Sequence, residues 1–362
     1  MERTSLTQDS IEEIFSRFPT KSLARLQSLS KQWNAIFKSE NFSKKHSANA
    51  PKEPLIMMLM DSRVCLVKVN LQGFHDGVAP SSKVAYQFNL TNPSSDSSSS
   101  QVIIRNIIHC DGLLLCTTND NRLAVWNPCS GETKWIKPKK PYMETDFYAL
   151  GYDNESPCKK YKILRMVRQD PNLPIDEYQI YDFISDSWKV LEDVTTNWDL
   201  LPNCRGISMK GDTYWVAFDT SPKGWHFLLS FDFSRERFRS MSLPHRFPYS
   251  NGTLSVVGEE KLFLLGNDRT ELDLWVTSSP RSVMSWRKFL AGMDCFPFHR
   301  KVGFLVDEQN KVVVCCDDDV FTELDIVGES KHREVDYDDG HSEARTYCSH
   351  LQSYVPSLVQ IQ

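Results

Sequence analysis

The chain has 362 residues, 40% hydrophobic and 25% charged, which suits a small piece beside one large domain, or two mid-sized domains. Its formal net charge is −5, unevenly placed: residues 1–48 carry +3 and the rest −8. A large acidic body is a poor electrostatic match for a phosphate backbone, so proteins or small molecules are the expected partners and nucleic acid is not.

The first elements are helical. In "IEEIFSRFPTKSLARLQSLSKQWNAIF" (11–37), Ile11, Ile14, Phe15 and Phe18 fall on one helical face. Asp9 followed by Glu12 predicts a capping-box start. Pro19 ends this helix and opens the next, whose stripe is Leu23, Leu26 and Leu29. Ser30 predicts the cap of a third helix with Trp33, Ile36 and Phe37 inward. Three such helices share one tiny core, and below roughly 40 residues a domain usually needs a metal, a disulfide or a partner. No metal ligands or paired cysteines occur here, so the helices must dock on the following domain or on another protein.

After "HSANAPKEP" (46–54) the helical period stops. Short runs of Val, Ile, Leu, Phe, Tyr and Trp alternate with turns, as in "CDGLLLCTT", "GDTYWVAF" and "GEEKLFLLG". Trp135, Trp188, Phe238 and Trp286 lie 53, 50 and 48 residues apart, each behind a turn-like segment and an apolar strand. A period near 50 with four strands per unit predicts blades of a kelch-like β-propeller. Six units are laid out: 55–90, 103–137, 147–191, 205–242, 252–290 and 302–335. The segment "YVPSLVQI" (354–361) is expected to pair with the first unit and close the ring, removing exposed edges. The fold expected is mostly β with a small N-terminal helical domain; a two-sheet β-sandwich is the structural alternative. The four repeating aromatics are expected to be buried packing anchors in equivalent places.

The remaining signals are weaker. The ten cysteines show no C-x-x-C spacing, and many sit in apolar runs, as small buried hydrophobes do in a reducing compartment. Charges interrupt any signal-peptide core in the first 25 residues, and the longest apolar run, "LIMMLM" (55–60), is too short to span a bilayer. The location expected is cytoplasmic, nuclear or both. "NPSSDSSSS" (92–100) reads as a loop. "DDDVFTE" (317–323) lacks the glycine and ligand spacing of a Ca²⁺ loop and reads as a solvated hairpin. "KWIKPKKPY" (134–142), basic with interleaved aromatics, reads as an edge strand and loop. No G-x-S-x-G, P-loop, G-x-G-x-x-G or H-E-x-x-H is present, so neither catalysis nor a cofactor or metal is expected.

Residues 5–46 resemble an F-box. The pattern of that family, a Leu-Pro start, an Asp, E-E-I-L-x-R-L-P, K-S-L-x-R and S-K-x-W, falls on Leu6, Asp9, Glu12, Glu13, Ile14, Phe15, Arg17, Phe18, Pro19, Lys21, Ser22, Leu23, Arg25, Ser30, Lys31 and Trp33. The rest is similar to the F-box-associated domain of large plant families, through "DGLLLC", "VWNPCSGETKWI", "GYD" (151–153), "YDFISDSW" and "YVPSLV" in that order. The resemblance implies an F-box in 1–48 and a propeller-like domain in 49–362. It implies that the first binds the Skp-type adaptor of an SCF ubiquitin ligase, and through it a cullin, while the second holds an unnamed protein substrate. The adaptor-binding residues it implies are Leu6, Ile11, Ile14, Phe15, Phe18, Pro19, Leu23, Leu26 and Trp33. Two positions depart from the family: Thr7 stands for the usual Pro and Ser10 for the usual apolar residue. Each is expected to cost on the order of 1–2 kcal/mol of adaptor binding. A scaffold with weakened adaptor binding and a ligand-binding propeller are the alternatives.

Overall fold

The computed structural model describes residues 7–50 except 28, 55–92 except 72–73 and 75–78, 102–267 except 157, 171, 193, 195–196, 202–203, 223, 245–246, 248–250 and 259, then 271–277, 285–294, 302–317, 323–336 except 330, and 348–361. Leu6 and most of the serine-rich and "DDDVFTE" segments lie outside the described residues. Four helices come first: α1 (Gln8–Ser16), α2 (Thr20–Gln27), α3 (Lys31–Phe37) and α4 (Glu40–Asn49). The fourth is unanticipated. Ser39 caps it by accepting from the Phe42 amide at 3.2 Å, and Phe42 and His46, one turn apart, are its buried face.

Six antiparallel sheets follow. The first holds β1 (Leu55–Met60), β2 (Arg63–Asn70) and β3 (Ser81–Phe88). The second holds β4 (Ile104–Cys110), β5 (Leu113–Thr118), β6 (Leu123–Trp126) and β7 (Thr133–Ile136). The third holds β8 (Phe147–Asp153), β9 (Lys160–Val167), β10 (Glu177–Asp182) and β11 (Ser187–Val190). In the fourth, β12 (Trp198–Leu200) and β13 (Ile207–Met209) share one edge of β14 (Asp212–Asp219), followed by β15 (His226–Asp232) and β16 (Arg237–Met241). The fifth is β17 (Asn251–Val257), β18 (Lys261–Asn267), β19 (Glu271–Thr277) and β20 (Arg287–Asp294). The sixth is β21 (Val302–Asp307), β22 (Val312–Asp317), β23 (Glu323–Val327) and β24 (His332–Asp336). Last in the chain, β25 (Cys348–Tyr354) pairs with β1 and completes the first sheet.

A ring explains the uninterrupted apolar runs. In a strand, successive side chains face opposite sides. Met57 and Leu59 face a core shared with the second blade, whereas Met58 and Met60 face a core shared with the sixth. Six such clusters, one between each pair of neighbouring blades, close the circle. Strands covered on both faces need no polar alternation. This is a six-bladed propeller, not a sandwich.

The ring is closed differently from the sequence expectation. The pairing strand is β25, with Leu55 opposite Tyr354, and residues 355–361 run on without joining the sheet. The four marker aromatics each pack against the core shared with the preceding blade. They are half-buried rather than fully buried, because they sit on or beside the outermost strands. Trp188 pairs with Tyr181 and Phe238 with Phe231, but the residue in that register in the second blade is Thr133, opposite Trp126. Trp135 lies two residues on, on the same face. The indole N–H groups of Trp188 and Trp286 each donate at 2.9 Å to a carbonyl just past the preceding blade's outer strand, Lys137 and Ser242 respectively.

Glycine at two positions reflects crowding between elements. A Cβ on Gly151, in the "GYD" motif, would stand 2.3 Å from the Gly211 carbonyl oxygen and the Phe233 ring. Gly112, in the turn between β4 and β5, has φ 83°, and a Cβ there would stand 2.3 Å from that of Ser357.

Candidate functional site

The helices build one small core, of Leu23, Ile36, Phe37 and Phe42, with Ile11, Phe15, Leu26 and Trp33 packed around it. Phe15 meets Trp33 and Phe37 edge-on, at ring separations of 5.5 and 5.2 Å. Two contacts tie the end of α1 to α4. The His46 Nε2–H donates to the Phe18 carbonyl at 2.9 Å, and Asn49 Nδ2 donates to Ser16 Oγ at 3.0 Å. Burial lowers the His46 pKa, keeping the ring neutral in this role.

The residues expected to bind an adaptor therefore divide. Leu23 is 0% exposed and belongs wholly to the core. Ile11, Phe15, Leu26 and Trp33 are half-buried and mostly spent on packing. Ile14 at 45% exposure, Phe18 at 38% and the exposed Pro19 remain on the outside. Leu29 joins the exposed set at 73%. Sequence periodicity places it inward, but α2 stops at Gln27 and the stripe ends with it. Beside this patch, Glu13 holds Lys45 and Arg17, each at 2.9 Å, and the two cations lower its pKa.

The start of α1 also differs. Its cap is Thr7, not Asp9: the Thr7 hydroxyl accepts from the Ser10 amide at 3.3 Å and lies 2.8 Å from the Ser10 hydroxyl. The two departures from the F-box pattern are thus partners, and together they close the first turn. Restoring the usual residues removes that cap. Thr7→Ala is expected to cost about 1 kcal/mol of local helix stability. Thr7→Pro with Ser10→Leu sacrifices the cap and offers the adaptor two apolar side chains instead. Calorimetric titration with adaptor shows which effect wins: an affinity higher by tenfold or more would mean the departures weaken docking.

One group of possible metal ligands occurs among the described residues. Asp325, His332 and Glu334 place possible ligand atoms within 4.8 Å of one another. Asp325 and Glu334 are cross-strand neighbours, and Asp325 already meets His332 Nε2 at 2.6 Å, with burial raising the carboxyl pKa against that contact. The contact is accounted for as a hydrogen bond between β23 and β24. Among the described residues, no helix is long and apolar enough to cross a membrane.

The propeller's two faces differ in kind. Because strands alternate in direction, the turns after first and third strands lie at one end of each blade, and the longer connections at the other. The first end carries tight turns: Asn127, Asp182 and Asp232 each accept, through Oδ1, an amide two residues on at 2.8–3.0 Å. The segment 355–361 and the helices lie over this end of the second blade. The opposite end exposes Met143, Leu173 and Trp225, the last at 65%. There "KWIKPKKPY" is the outer strand β7 and a connection, as expected, and its lysines 137, 139 and 140 are exposed.

A helical module with exposed apolar side chains, set on a six-bladed propeller, defines a two-part binding protein. Residues 4–45 match the F-box domain family, and residues 55–361 match the "F-box associated beta propeller domain" family. Three Arabidopsis thaliana relatives are named as F-box or F-box/kelch-repeat proteins. At3g23260 is 50% identical, covering 100% of both chains. At3g21130 is 45% identical over 99% of this chain and 97% of its own, and At3g22730 is 40% identical over 100% and 98%. The chain belongs to the F-box proteins that carry an F-box-associated β-propeller. In general terms it is an SCF-type substrate adaptor, a class that is typically non-catalytic, and its F-box implies binding of a Skp-type adaptor.

Proposed function

We propose that this protein is the substrate-recognition subunit of an SCF-type ubiquitin ligase. Its helices bind a Skp-type adaptor, and through it a cullin, while the propeller holds a target protein for ubiquitination in the cytoplasm or nucleus. The observation that carries this reading is the exposure of Ile14, Phe18, Pro19 and Leu29 on a module whose other large apolar groups are consumed in its core. Such a patch is expensive to leave in water, and a partner covering it recovers that energy. The helices are net positive, which suits an acidic rim on the adaptor and a salt-dependent on-rate. The target is expected at the end with the longer connections, where Met143, Leu173 and Trp225 project, because residues 355–361 and the helices held on them cover the opposite end of the second blade.

The test is adaptor capture by the full chain and by Ile14→Asp with Phe18→Asp. Both positions are outside the core, so the fold is expected to survive and binding to fall at least a hundredfold. Failure of the unaltered chain to bind any Skp-type adaptor would sink the reading. The second reading, a scaffold with weakened adaptor binding, is favoured by Thr7 and Ser10. It predicts tight target binding by the propeller with no ubiquitin transfer in a reconstituted ligase.

A further inference from the structure

The segment Val355–Ile361 belongs to two structures at once. On one side, the buried Leu358 is a member of the helical core with Leu23, Ile36, Phe37 and Phe42. The Thr20 hydroxyl donates to the Pro356 carbonyl at 3.1 Å, and Gln360 Nε2 donates to the Lys38 carbonyl at 2.9 Å. On the other side, Asn127 Nδ2 donates to the carbonyls of Ser357 and Val359, at 3.1 and 2.7 Å. The Ile361 amide donates to Glu132 at 3.2 Å, and Val359 and Ile361 pack against the core between the second and third blades. Leu358 and Gln360 thus engage the helices, and Val359 and Ile361 the propeller, as the period-two alternation of an extended chain dictates. Its beginning is anchored too: Tyr354, 0% exposed at the end of β25, donates through its hydroxyl to the Gly112 carbonyl at 3.3 Å.

We propose that this segment makes the helices' binding competence conditional on closure of the propeller. β25 closes the first blade, and the next seven residues deliver Leu358 into the helical core. A helical unit of roughly 40 residues is marginal alone, so a buried leucine from elsewhere is a large share of its core. The helices come to full order only when the ring has closed behind them. Chains with an unfinished propeller would therefore present a loosened docking surface and load poorly onto the ligase. The same strap sets the orientation of the docking patch relative to the target end. The loading consequence rests on the function proposed above; the structural coupling does not.

The test uses the full-length chain with Leu358→Asp, the milder Leu358→Ala, and Asn127→Ala acting from the propeller side. Amide hydrogen exchange is read in α2–α4 and in the third to fifth blades, with adaptor affinity measured alongside. The expected result is exchange at least tenfold faster in α2–α4, little change in those blades, and adaptor affinity at least tenfold weaker. If Leu358→Asp unfolds the whole chain, Leu358→Ala and Asn127→Ala carry the same selective signature. Unchanged α2–α4 exchange in all three variants would overturn the proposal. So would equal acceleration of helices and blades in the alanine variants, which would make the segment a general stabiliser. If the unaltered chain binds no adaptor, the exchange measurement still decides the coupling, and only the ligase reading fails.

Discussion

Arg165→Ala is expected to lower the unfolding free energy by about 3–5 kcal/mol, read by chemical denaturation. Arg165 lies in β9 and is 1% exposed. Its guanidinium meets Asp146, whose side chain is 0% exposed, through Nε at 2.8 Å and Nη2 at 2.7 Å. It also donates to the carbonyls of Lys140 and Pro141, at 3.1 and 2.6 Å, and lies 4.9 Å over the Tyr142 ring. Asp146 in turn accepts from the Met143 amide at 3.0 Å and the Tyr148 hydroxyl at 3.1 Å. The network fastens the connection from β7 to β8 by pairing the carbonyls of Lys140 and Pro141 with the Arg165 guanidinium. Removing the arginine strands a buried carboxylate, whose desolvation is then uncompensated. Arg165→Met combined with Asp146→Leu should recover only part of the loss: both charges go together, but the Met143 amide and the Tyr148 hydroxyl lose their acceptor. A loss below about 1 kcal/mol for Arg165→Ala would show that water or rearrangement satisfies Asp146, contrary to a closed network.

Stability is expected to fall by roughly 2–3 kcal/mol more than in a His109→Gln variant when pH drops from about 7 to about 4. His109, in β4, accepts from the Gly112 amide through Nε2 at 3.0 Å, so its proton is on Nδ1 and the ring is neutral. Burial pushes its pKa down to about 4, with Asp111 opposing. The unfolded value is about 6.5, so the unfolded chain binds the extra proton across this window. Stability is then complete above about 6.5 and is lost as pH falls towards 4. His46, buried in α4, contributes with the same sign. His109 packs on Tyr354, ring centres 5.1 Å apart, so acid should loosen the start of the strap as well as the turn. Parallel stability–pH curves for the two proteins would show that His109 is not the titrating group.

The order of elements was legible because both periods are local properties. The stripe of Ile11, Phe15 and Phe18 needs only a helix, and the near-50-residue spacing of Trp188, Phe238 and Trp286 needs only repeated hairpins. The helix-then-strand order, the repeating units and the F-box pattern are readable along the chain because each rests on residues close in sequence, whereas a ring in place of a sandwich, and its six blades, follow from how the sheets pair and pack. The sequence by itself did not separate buried from exposed apolar residues in the helices. Leu23 and Ile14 are both apolar and in register, and only packing shows one sealed and the other exposed. The cap at Thr7 was missed because Asp9 offers the same chemistry two residues later, and the actual helix start selects between them.

The tertiary structure alone decided how the chain closes. "YVPSLVQI" reads as one apolar strand, yet only its Tyr354 pairs with β1. Residues 355–361 leave the sheet because Asn127 and Glu132 hold them along the propeller on one side, and the helices hold them on the other. Thr20 and Pro356 are 336 residues apart in sequence, so no local pattern can reveal that they touch. A small helical core short of apolar surface takes Leu358 from the far end of the chain, and that choice exists only once the ring has brought the two ends together.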